Sequence, residues 1–124
     1  MIEIISGSSY IELNQSISQL DTNSPFLNIN FFTALEKSKS IGEGTGWISF
    51  PIIAKNNNEI IGFMPIFLKE HSYGEYVFDH SWADAFQQHG LNYYPKMISA
   101  IPFTPLTGLR ILASDIEVKK VMIK

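Results

Sequence analysis

Three adjoining pieces, WISFPIIAK (47–55), NNNE (56–59) and IIGFMPIFLK (60–69), decide the fold class. Two β-rich runs flank a polar turn, the pattern of an antiparallel hairpin. The second run is apolar on both faces, which predicts a central strand covered on both sides. Pro65 lies within it and has no N–H to give a ladder, so a bulge or a splay is expected there, and a splayed strand can admit a ligand.

Outward from the hairpin, helical and extended signals alternate. A short strand opens the chain. Ser9 followed by Glu12 reads as a capping box, and Tyr10, Leu13, Ile17 and Leu20 recur on one face of a helix over about Tyr10–Leu20. Ser24-Pro25 reads as a second helix start and Asn30 as a cap for FFTALEKSK (31–39), with Gly42, Gly44 and Gly46 closing that region. Beyond the hairpin, Glu75–Asp79 reads as strand. Ser81 with Asp84 resembles a capping box for a helix Trp82–His89 ended by Gly90. Lys96–Ile101 reads as strand, PFTPLTG (102–108) as a constrained loop and Leu109–Leu112 as a short extended piece. Ser114-Asp115 then caps an amphipathic helix carrying Ile116, Val118, Val121 and Met122, which reads as cut short at Lys124. One α/β domain of the α+β kind is expected over 1–124, with a mainly antiparallel sheet flanked by helices.

Composition bounds the function classes. The 124 residues are 45% hydrophobic and 17% charged, as in a globular domain. A net charge of -3, with Arg110 the single arginine, gives no basic stripe for DNA or any other phosphate backbone. The absence of cysteine removes disulfides, thiolate nucleophiles and sulfur-built zinc sites, and fits the cytosol. MIEIISGSSYIE (1–12) does not read as a signal peptide. The longest apolar run, Ile60–Leu68, is far below the roughly 20 residues of a spanning helix, so no transmembrane segment is expected.

Candidate chemistry concentrates in His71–Arg110. His71, Asp79, His80, Asp84 and His89 are metal-ligand types without zinc spacing, so no metal site is assigned. Glu75 and Asp79, four apart, would share one side of a strand with Tyr76 and Phe78 on the other; they are the candidate general bases. The ordinary alternative is a solvated strand face. Tyr73, Trp82, Asp84, Tyr93, Tyr94, Lys96 and Thr104 are candidate substrate contacts, with tyrosine hydroxyls and a lysine suited to an acyl-acceptor or anionic ligand, although tyrosines also bury a ring and leave the hydroxyl at a rim. Thr107, Gly108 and Arg110 have the makings of an anion contact, or of a proline-stiffened connection. No serine sits in a nucleophile elbow.

As ordered strings, SPFLNINFFTALEKSKSIGEGTGW (24–47), SYGEYVFD (72–79), WADA (82–85), YYPK (93–96) and PFTPLTG (102–108) make the chain resemble the N-terminal part of the bacterial peptidoglycan biosynthesis/recognition family. That family is grouped with Fem-like proteins in the GNAT superfamily of N-acetyltransferases. The resemblance covers about Ser24–Leu112. It implies an acyltransferase-like mixed sheet with a central splay, where acyl-CoA or an aminoacyl-tRNA meets an amine of a small molecule or a cell-envelope precursor, with no tightly bound cofactor. It also implies a longer protein of two related halves. Donor pyrophosphate would rest where the central strand meets the next helix. A chain lacking that part would be a non-catalytic remnant or a binding module, prone to self-association.

Overall fold

A computed structural model describes residues 1–17, 20 and 24–124. Its elements are β1 (Ile2–Ser6), α1 (Tyr10–Ile17), α2 (Ile29–Lys37), β2 (Trp47–Ser49), β3 (Ile52–Asn56), β4 (Glu59–Met64), β5 (Phe67–Lys69), α3 (His80–Gln88), β6 (Lys96–Ile98), β7 (Leu112–Ala113) and α4 (Ile116–Ile123). The fold is mixed α+β. Every strand pairing is antiparallel, and the strands form two sheets, β1-β3-β4-β7 and β2-β5-β6.

The expected hairpin is present, and each of its two legs runs through both sheets. Ile52 pairs with Met64 at the end of the first sheet, while Ser49 pairs with Phe67 at the start of the second. Between these pairs lie Pro51 on one leg and Pro65 on the other, both fully buried. Each proline removes a donor at the same level, so the ladder cannot run through and the legs splay there. One backbone bond, Phe50 N to Ile66 O at 2.9 Å, bridges the break. A register shift between Ala54 and Lys55 adds a bulge.

Central β4 is covered on both faces, as its unbroken hydrophobicity requires. On one face Tyr10 of α1 and Phe32 of α2 join Ile53, Phe63 and Phe67, with the Tyr10 and Phe32 rings stacked at 4.8 Å. On the other face Val118 and Met122 of α4 pack on Ala54. Gly62 permits that approach, since a Cβ there would lie 2.6 Å from Met122 Sδ. The second sheet extends the first core through Trp47, whose ring meets Phe67 edge-on at 5.2 Å.

Several local expectations are corrected. Glu12 does not cap α1. The carboxylate of Glu36 in α2 takes Tyr10 N at 2.7 Å, Ile11 N at 3.1 Å and the Ser9 hydroxyl at 2.9 Å. The predicted end of that helix falls partly on residues 18 and 19, outside the described residues. Asn28 rather than Asn30 caps α2, accepting from Asn30 N at 2.9 Å, and Ser24-Pro25 begins a turn instead of a helix. Residues 75–79 are not a strand, and α3 begins at His80, two residues earlier than expected. Asp115 caps α4 as read, accepting from Glu117 N and Val118 N at 2.9 and 3.0 Å.

Candidate functional site

The second sheet builds the site. Its register places Trp47, Lys69 and Lys96 in one row across β2, β5 and β6, so the three side chains share a face. Two lysines directly opposite each other repel. The loop after β5 crosses this row and supplies the opposing charge. Lys96 Nζ donates to Glu75 Oε2 at 2.7 Å, to Asp79 Oδ2, and to Ser72 Oγ at 3.0 Å. Tyr93 OH donates to Asp79 Oδ2 at 2.6 Å, and Ser72 and Tyr94 share a hydroxyl hydrogen bond of 2.5 Å.

This cluster is largely shielded from solvent. The Glu75 side chain is 3% exposed, that of Asp79 9% and that of Lys96 14%. Glu75 and Asp79 therefore meet through Lys96, and strand alternation has no part in it. Tyr76, at a φ of 58°, turns the chain between them, leaving Glu75 inward and Tyr76 exposed. An aromatic residue in this left-handed region is strained. Asp79 stands at the N-cap position of α3 without capping it, because its carboxylate is directed at Lys96 and Tyr93 instead.

Two acceptor atoms remain unsatisfied. Glu75 Oε1 and Asp79 Oδ1 are buried and have no hydrogen-bond partner. A buried carboxylate oxygen without a donor costs free energy, about 1–3 kcal/mol or more for a charged group.

The charges tune one another. Burial pushes the Asp79 carboxyl up, but hydrogen bonds from Lys96, Ser72 and Tyr93 and the Lys96 charge outweigh it and hold Asp79 well below the usual range. Burial pulls Lys96 down, yet Asp79 and Glu75 more than compensate and raise it. The bond to Asp79, then burial, raises the Tyr93 phenol. Lys69 behaves oppositely: burial, reinforced by Lys96, lowers it to about 8 against the partial offset of Glu75 and Asp79.

Other sequence-predicted residues lie elsewhere or do other work. Tyr73 exposes its ring, while its carbonyl takes Trp47 Nε1 at 3.1 Å and Lys69 Nζ at 2.9 Å. Trp82 and Asp84 are exposed on α3. Thr104 Oγ1 donates to Pro102 O at 3.0 Å, a turn contact. Thr107 and Gly108 are exposed, and the Arg110 guanidinium braces its own loop through Leu106 O at 2.5 Å and Leu109 O at 3.2 Å. Among the described residues no group of three or more His, Asp or Glu could hold a metal. His71 Nε2 meets Thr45 O at 3.0 Å and His89 Nδ1 meets Ala85 O at 2.7 Å. A separate cleft of about 490 Å³, lined by Ser8, Ser9, Glu36, Lys39, Ile48 and Ser49 among others, shares no residue with the cluster.

Lys69, Ser72 and Trp47 are the site residues that the sequence reading misses. The available signal was parity. Lys69 lies two residues from the core residue Phe67, so it occupies the inward side of β5.

Among the described residues no helix is long and apolar enough to cross a membrane. No curated protein and no solved structure matches the chain. The pattern of one family does match, over residues 5–124, and it takes in nearly all of both sheets and the whole Lys96 cluster: the chain belongs to the FemAB-like family of peptidoglycan biosynthesis/recognition.

Proposed function

We propose that the Lys96 cluster is the acceptor side of an acyl- or aminoacyl-transfer site acting on a primary amine, in a cytosolic, peptidoglycan-related role. The observation that carries this reading is the pair of buried, unpartnered oxygens Glu75 Oε1 and Asp79 Oδ1. An amine supplies the N–H donors they lack. Family membership supplies the peptidoglycan context, and a GNAT-type fold is part of the proposal.

Of the two carboxylates, Glu75 is the base. Asp79 is held well below the usual range, which makes it a poor proton acceptor and an anchor for Lys96. In the reaction the amine nitrogen attacks the donor's carbonyl carbon and a C–N bond forms. The amine proton passes to Glu75, and the C–S bond of acyl-CoA or the ester C–O bond of an aminoacyl-tRNA breaks. Tyr73, Trp82, Tyr93 and Tyr94 are the proposed acceptor contacts. Thr107, Gly108 and Arg110 are the donor-side candidates, and Arg110 would exchange its loop carbonyls for phosphate.

Transfer to Nα-acetyl-lysine from labelled acetyl-CoA and from aminoacyl-tRNA tests this. Glu75→Gln should lower transfer by about 10²-fold or more. Unchanged transfer in that variant removes Glu75 from the mechanism, and absence of both transfer and amine binding in the parent protein removes the reading.

One observation favours a second reading, a non-catalytic binding module. Helix α3 has no buried residue; Trp82 on it is 67% exposed, and Phe78 just ahead of it 88%. Exposed aromatics of this extent mark contact surfaces. Amine binding without transfer from either donor selects this reading.

A further inference from the structure

Lys69 is the one amine of the cluster that no carboxylate grips. Its side chain is fully buried, its Nζ lies 4.0 Å from the Trp47 ring centroid, and it donates to Tyr73 O at 2.9 Å. Trp47 Nε1 donates to the same carbonyl at 3.1 Å. Lys69 and Trp47 thus close on the loop from below, one residue ahead of Gly74 and two ahead of Glu75. On the other side Phe103 N donates to Gly74 O at 3.0 Å. The Phe103 ring covers Gly74, where a Cβ would lie 2.7 Å from that ring. The carbonyls of Tyr73 and Gly74 are therefore the two fixed points from which Glu75 reaches Lys96.

The ionisable groups facing Lys69 come from two directions. The loop presents His71, whose Nδ1 is 3.5 Å from Nζ, together with Glu75 and Asp79, and β6 presents Lys96. β2 presents only Trp47 at this row and carries no ionisable side chain. A proton on Lys69 thus places a buried ammonium directly opposite Lys96, whose pKa its two carboxylate partners raise. Lifting the loop hydrates it.

We propose that Lys69 is a proton-linked latch and positioning residue for Glu75: unprotonated, it holds the Tyr73 carbonyl and seats the loop, and taking up a proton favours release of that loop. This rests on the reading above for what the latch serves, since the seated loop is what presents Glu75 to an amine. The lowered Lys69 value of about 8, against about 10.4 in water, fits this direction. The state that binds the proton less well is disfavoured by protonation, so low pH favours the open loop and rising pH the closed one.

The experiment needs neither ligand nor turnover, so its failure is separable from failure of the transfer reading. In Trp82→Phe protein, Trp47 is the only tryptophan. Its emission should step with a midpoint near pH 8. The protection factor of the Phe103 amide should stay level below about pH 8 and rise by about tenfold or more by pH 9.5, because a group at about 8 in the closed loop and about 10.4 in the open one shifts their balance only between those values. Lys69→Met should abolish both steps, and Lys69→Arg should hold protection at its low-pH level throughout. A flat profile in Trp82→Phe protein overturns the latch on its own, even if Lys69→Met does not fold. Steps that survive unchanged in Lys69→Met also overturn it.

Discussion

Lys96 has three ammonium hydrogens and three partners, Glu75, Asp79 and Ser72. Its charge is committed to organising carboxylates and leaves nothing for a ligand. Lys96→Met therefore leaves two buried carboxylates without the ammonium that bridges them. We expect a loss of about 3–5 kcal/mol, read from the urea midpoint, where an exposed pair such as Lys120–Glu117 should cost under about 1 kcal/mol. The Asp79 carboxyl gives a second test. Its folded value lies below its unfolded one, so its contribution is present above the ordinary carboxylate pKa of about 3.9 and disappears as pH falls through the folded value. Urea midpoints followed from pH 5 to pH 2 should fall steeply for the parent and more gently for Asp79→Asn. Equal slopes would show that Asp79 gains nothing from Lys96 and Tyr93.

Helices α1 and α4 are capped in contrasting ways. Asp115 caps α4 from its own N-terminus, a local device worth about 1 kcal/mol, and Asp115→Ala should cost that much. Glu36 caps α1 from another helix, binding two backbone N–H groups and the Ser9 and Ser49 hydroxyls. Glu36→Ala deprives four donors of their acceptor at once and should cost about 2 kcal/mol or more in thermal or urea unfolding. The same contrast explains what could be read beforehand. The hairpin turn, the doubly covered β4 and the Asp115 cap depend on neighbours in sequence, and each was legible. The Glu36 cap joins residues 26 apart, which no local pattern encodes. The two-sheet arrangement depends on Pro51 and Pro65 falling at one level of the hairpin, a matter of register more than of composition. At the site, Glu75, Asp79 and Lys96 were legible as chemistry. Their meeting through Tyr76's left-handed turn was not, because a tyrosine carries no signal for positive φ. Lys69 was hidden by its type, since lysine is read as solvent-facing until the parity of its strand is known.

Across the whole molecule, burial and chemistry are distributed unequally. β3 and β4 lie between α1 and α2 on one side and α4 on the other, so their amides are reached only when the core opens. α3 buries none of its residues, and its ties to the body pass through a few contacts: the Asp79 bonds at its start and the Phe86 ring edge-on to Tyr93 at 5.2 Å. Regions with so little burial open by local fluctuations at a small fraction of the global free energy. Hydrogen exchange should therefore divide the molecule, with α3 amides exchanging through low-energy openings and those of Ile53 and Phe63 only through global unfolding. In mild urea the Ile53 and Phe63 rates should follow the equilibrium unfolding curve, while α3 rates stay nearly independent of denaturant. Removing the Asp79 tie with Asp79→Asn should raise α3 exchange further and leave α4 unchanged relative to global stability, since α4 is docked through Val118 and Met122 on the far face of the first sheet. Should α3 instead exchange with the core, the segment would be part of the cooperative unit, and the exposed face that bounds the Lys96 cluster would be rigid in solution.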